Sequence, residues 1–233
     1  MMSHHQPAAP SARLMDAAYS TVKREIVECA LPPGIEVSER ELMERYGLSK
    51  APLREALVRL GQEGLLRAIP RSGYQVTPVT VQDVQDIFAL RLLLEPAAAR
   101  QAAGHVDEVL LSELDAVCRA GYIPGDRESE TAFLRTNREF HLTIAQAARN
   151  RRLAGLLGQL LEEMERLFHL GLAVRNRTVE MQHEHRALVE ALTHGDGDAA
   201  EATTIEQIES ARRMVMDGIL SASWLKQQPV TSW

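Results

Sequence analysis

Two groups of side chains in this sequence could do chemistry. The first is cationic. Lys50 and Arg54 stand four residues apart in a run with helical spacing, and Arg59 follows on the outward side of the same run. Residues at i and i+4 share a helix face, so Lys50 and Arg54 would offer adjacent positive charges, suited to phosphates and base edges. The second group is polar residues in apolar surroundings. Arg91, Asn137, His141, His185 and Gln207 fall on or beside the apolar stripes of four helix-like segments. One buried polar residue is ordinarily a satisfied core group. Several from four segments imply a polar cavity, because each unpaired buried group costs about 1–3 kcal/mol.

The elements that must position the cations are readable. Ser38 with Glu41 three residues on is a capping box, and Gly47 can close the short helix between them in a left-handed conformation. Ser49 starts a second helix, Pro52 sits in its first turn, and Leu53, Ala56, Leu57 and Leu60 repeat at helical spacing. Gly64 ends it. Two helices joined by a short turn containing Gly form a helix-turn-helix, whose second helix enters the major groove of DNA. Leu65–Ala68 and Tyr74–Thr77 flank Pro70-Arg71-Ser72-Gly73 as a short hairpin, a wing with a small basic tip at Arg71. Upstream, residues 11–29 carry Leu14, Ala18, Val22, Ile26 and Cys29 on one stripe, stopped by Pro32-Pro33.

The run LPPG-x-x-V-SERELMERYGLSKAPLREALVRLGQEGLL resembles the DNA-binding domain of the GntR family of bacterial transcription regulators, over Tyr19 to Thr77. That resemblance implies that Arg40, Ser49, Lys50, Arg54 and Gly73 contact DNA. Two positions depart from the family pattern, which has Arg and Thr where this chain has Lys50 and Ala51. Arg grips guanine O6 and N7 with two hydrogen bonds and Lys acts as a point charge, so an altered operator is expected.

Beyond Pro78-Val79-Thr80 the periodicity is helical throughout, over about 81–103, 107–120, 127–148, 150–173, 178–194 and 198–222. In the second of these, Val109, Leu110, Leu114 and Val117 make the expected apolar face. Six amphipathic helices with short connections predict an antiparallel bundle. The fold class is therefore mainly α: an N-terminal winged helix-turn-helix domain (12–78) and an all-helical domain (79–224), with tails at 1–11 and 225–233.

Bulk properties agree. The chain of 233 residues carries a net charge of −6, yet up to Val79 it holds ten Lys and Arg against nine Asp and Glu, and beyond it sixteen against twenty-three. Phosphate affinity follows local cations, which gather on one helix and the wing. Cys29 and Cys118 show no C-x-x-C spacing, and no apolar run approaches a membrane span of ~20 residues. A cytoplasmic protein without a membrane partner is expected. The sequence holds no H-E-x-x-H, glycine-rich phosphate loop or Ser/His/Asp set, and Glu184 diverges from adjacent His185 by about 100° on a helix. These absences argue against an enzyme, the alternative being a metal-dependent enzyme tethered to a DNA module. An effector-independent architectural DNA binder is the other alternative.

Residues 80–213 resemble the FCD effector domain of the FadR subgroup of GntR regulators. The resemblance is carried by Ala89-Leu90-Arg91-x-x-Leu94-Glu95-Pro96, Phe140-His141, Asn150, Glu184-His185-x-x-Leu188 and Gly195-Asp196. It implies a homodimer acting on a palindromic operator, with repression relieved by a small carboxylate metabolite. Many such domains bind a divalent metal through one Asp and three His. Here His141 and His185 are present, but Asn137 stands at the Asp position and Gln207 at the third His. Neutral amide oxygens are poor ligands for zinc or nickel, so His141 and His185 make an incomplete metal site. The expected pocket instead uses Asn137 and Gln207 as amide partners of an organic effector, with Arg91 pairing its carboxylate.

Overall fold

A computed structural model describes residues 10–172 and 178–221. The chain divides into two compact units, residues 1–79 and 80–233. In the first, α1 (Pro10–Val27), α2 (Glu39–Tyr46) and α3 (Lys50–Gln62) pack beside three short strands, β1 (Glu36–Val37), β2 (Leu66–Ile69) and β3 (Gly73–Val76). The Ser38 and Glu41 side chains both complete the capping box, and Gly47 ends α2 with φ of 62°. Val22, Ile26, Leu42, Leu53, Leu57, Leu60 and Val76 close on one another as the core. Helix α1 begins at Pro10, so residues 10 and 11, expected in the tail, are helical. Proline suits a first helical turn because its missing N–H would have had no partner there.

The sheet order is β1-β3-β2, with both pairings antiparallel. Tyr74 of β3 faces Val37 on one side and Ala68 on the other. Strand β1 was not expected. It is two residues long and pairs with a partner nearly forty residues on, so no local alternation announces it.

The second unit contains α4 (Val81–Ala102), α5 (Glu108–Ala120), α6 (Arg127–Ala147), α7 (Arg151–Leu172), α8 (Thr178–Thr193) and α9 (Gly197–Ser221). Thr80 and Asp83 cap α4 reciprocally, and Asp107 and Asp126 cap α5 and α6. One buried cluster joins Ala99, Leu111, Phe140, Leu188, Leu192 and Ala200 from five helices. The apolar face expected for α5 is corrected by the structure. Leu111, Leu114, Asp115 and Cys118 are inward, while Val109, Leu110 and Val117 are exposed. Leucine and valine occur on both sides of this helix, so its periodicity could not choose the packed face.

Candidate functional site

The winged unit brings its expected residues to α2, α3 and the wing. Ser49 occupies the N-cap position of α3, but its hydroxyl makes no capping hydrogen bond. Lys50 and Arg54 are exposed on the first turns of α3, and Arg71 is exposed between β2 and β3 with φ of 66°. Arg40 pairs with Glu44 at 2.8 Å on the outside of α2. Arg54 crosses to α2, where its Nε lies 2.9 Å from both carboxylate oxygens of Glu39. Arg59, further along α3, lies over the Tyr19 ring at 3.6 Å and pairs with Glu63, so its task is holding α3 to α1. Gly73 is explained by packing. Its φ is 133°, and a Cβ there would lie 2.5 Å from the Val37 carbonyl oxygen, so only glycine lets β3 pass β1.

In the helical unit, Arg91, Asn137, His185 and Gln207 are buried, and the His141 side chain is 10% exposed. They come from α4, α6, α8 and α9. Arg91 meets a carboxylate from its own helix: Glu95 accepts from Nε and, at 3.1 Å, from Nη2. The second oxygen of Glu95 stands 3.6 Å from His141 Nδ1. Glu95 is thus a partner of Arg91 within the protein, a contact signalled in sequence by their i,i+4 spacing. The guanidinium also lies 5.3 Å from the Phe88 ring centre.

The two histidines are neighbours, with ring centres 5.6 Å apart and planes near perpendicular, and Phe140 stacks on His185 at 4.3 Å. Burial, aided by the Arg91 charge, pushes His141 down to about 3, and burial with His141 beside it does the same to His185. Both rings are therefore neutral near physiological pH. Arg91 Nη1, Asn137 Oδ1 and His185 Nδ1 are buried without a hydrogen-bond partner. A cavity of about 10 Å³ lies beside Glu95, His141 and Thr204, room for about one water.

These residues do not fit the metal set that the resemblance implies. Asn137 and Gln207 contribute amides, and no group of three or more His, Cys, Asp or Glu among the described residues could hold a metal ion. The leftover donor on Arg91 and acceptor on Asn137 instead suit an organic ligand carrying both hydrogen-bond types. His183 and Glu184 lie outside the residues whose side chains are described. No helix among the described residues is long and apolar enough to cross a membrane.

Comparison with known proteins follows this division. Residues 14–76 match bacterial regulatory proteins of the gntR family, and residues 86–210 match the FCD domain. The HTH-type transcriptional repressor RspR of Escherichia coli (strain K12) is 25% identical over 206 residues, 88% of this chain and 90% of that one. A probable D-xylose utilization operon transcriptional repressor of Paenarthrobacter nicotinovorans is 30% identical over 184 residues, 76% of this chain and 77% of that one. Among solved structures, E. coli McbR/YncC has a TM-score of 0.73 at 24% identity, over 88% of this chain and 98% of that chain, a likeness of fold.

Proposed function

The chain belongs to the GntR family of bacterial transcription regulators, with an FCD effector domain, and from that membership we propose that it is a repressor reading a palindromic operator as a homodimer. It is a DNA-binding regulator and not an enzyme. The observation that carries the operator-reading proposal is the α3 face and wing. Lys50, Arg54 and Arg71 are exposed together in the winged unit, and neither Lys50 nor Arg71 enters an ion pair among the described residues. Their charge stays available to phosphates, and Arg54 to a base edge. Ser49 and Arg40 sit beside them at the start of α3 and on α2.

Two copies would place two α3 helices in successive major grooves. Helix α4 leaves Leu90 and Leu93 exposed, at 48% and 71%, an apolar strip that a second copy of this chain would cover. The effector is a small carboxylate in the helical domain. Its oxygens meet Arg91 at the unused Nη1, while Asn137, Gln207, His141 and His185 line the remainder. Since Arg91, Asn137, His185 and Gln207 are all buried, the effector must spread the helices to enter. It therefore binds an expanded arrangement better than the compact one, as a ligand that shifts a population must. Action in the cytoplasm, where operator DNA lies, accords with this role.

The test is operator binding by Lys50→Ala and Arg54→Ala in a gel-shift assay. Each should weaken specific binding about 10-fold or more, and wild-type affinity in both would remove α3 as the reading helix. Leu93→Glu should convert the dimer to monomer in light scattering.

A further inference from the structure

Arg54 is the one α3 cation at the reading face that another element holds in place. Its Nε is 2.9 Å from each carboxylate oxygen of Glu39, in the first turn of α2. We infer that Glu39 is a positioning residue for sequence discrimination, fixing Arg54 so that its two terminal nitrogens face a base edge. This rests on α3 being the reading helix.

The geometry divides the guanidinium between two tasks. Arginine has five N–H donors, one on Nε and two on each terminal nitrogen. Glu39 takes the single Nε donor, and the four that remain lie on the pair of nitrogens that grips guanine O6 and N7. Of the two partners Glu39 is the better buried, its side chain 25% exposed against 57% for Arg54. A long, exposed arginine otherwise loses rotamer freedom when it docks, and an anchor at Nε removes part of that loss beforehand.

Glu39 has a second effect of opposite sign on the two kinds of DNA contact. Its negative charge beside Arg54 weakens attraction to any phosphate, which carries no sequence information. The same carboxylate leaves hydrogen bonding to a base edge intact. Removing it should therefore strengthen indiscriminate binding and weaken specific binding. Neighbouring acids do not duplicate this. Glu41 is committed to the Ser38 cap, and Glu44 pairs with Arg40 on its own helix, both largely exposed, where such pairs hold little.

The experiment uses the full chain and two duplex probes of equal length. One is selected by the wild-type protein from a random-sequence pool, and the other is the unselected pool. Glu39→Gln should lose about 10-fold on selected duplexes while holding or gaining affinity for the pool. Glu39→Gln with Arg54→Ala should bind selected duplexes no worse than Arg54→Ala alone. Glu41→Ala weakens the α2 cap and should lower the melting temperature, but it should leave the ratio of the two affinities unchanged. An unchanged ratio in Glu39→Gln, or equal losses on both probes, overturns the inference. Wild-type affinity for selected duplexes in Arg54→Ala overturns the base contact itself, and the inference with it.

Discussion

Inside the helical unit the Arg91 guanidinium and the Glu95 carboxylate neutralise each other one turn apart on α4, with Arg91 Nη2 3.1 Å from Glu95 Oε2. Both are buried, at 2% and 5% exposure. Taking ions out of water is costly, and the pair is sustained by mutual attraction and hydrogen bonding. Breaking it from one side leaves an uncompensated charge. Glu95→Leu should destabilise the chain by about 3–5 kcal/mol, read from urea unfolding. Adding Arg91→Met should restore most of that loss, since an apolar pair of similar size replaces a buried ion pair at little cost.

The donor set around His141 and His185 leads to a prediction about metal. Prolonged dialysis against EDTA should leave the melting temperature of the wild-type chain unchanged. Asn137→Asp with Gln207→His supplies the carboxylate and imidazole at the two positions where this chain departs from the family's metal set. That double variant should retain near-stoichiometric zinc by elemental analysis. It should also be stabilised by about 2.7 kcal/mol when free zinc is a hundredfold above its dissociation constant, and chelation should abolish the gain.

The parts of the molecule that were legible in sequence are those specified by local chemistry. Ser38, Glu41 and Gly47 fix α2 by caps that act within a few residues. Arg91, Asn137, His185 and Gln207 were recognisable as inward because each interrupts an apolar stripe, and they are buried. Relationships between distant segments were not legible. Strand β1 exists because Val37 meets Tyr74, and the Arg54 anchor exists because Glu39 of α2 faces α3. The depth of His169 is not readable in sequence, because a single histidine late in a leucine-rich helix says nothing about it. The residue is buried at 8% exposure. The α5 face was misread because apolar residues flank both of its sides.

Gly73 should tolerate no side chain. Alanine there must adopt φ near 133° with its Cβ 2.5 Å from the Val37 carbonyl oxygen. Backbone in that region costs about 1–3 kcal/mol, and the clash forces β1 and β3 apart. Gly73→Ala should therefore disorganise the three-stranded sheet while α1, α2 and α3 keep their core. Amide exchange at Tyr74–Val76 should accelerate sharply, with far-UV helicity almost unchanged. Gly64→Ala is the contrast. It has positive φ but nothing within 4 Å of a Cβ, so its cost is backbone strain alone and the sheet should remain protected.

His169 gives the helical unit an acid-sensitive component. Burial, with a smaller contribution from the Arg127 charge, lowers it from 6.5 to about 4, and its Nε2 is buried without a partner. The unfolded chain therefore takes up this proton before the folded one does. The titration contributes nothing above about pH 6.5, destabilises the fold as pH falls from there towards about 4, and changes stability no further below that. In that window one such group changes the unfolding free energy by up to about 1.4 kcal/mol per pH unit. His169→Gln removes the titration. Its urea-unfolding free energy should fall less steeply than that of the wild type between neutral and mildly acidic pH, by about 1 kcal/mol per pH unit. Parallel slopes for the two proteins would show that His169 is protonated equally in the folded and unfolded chains.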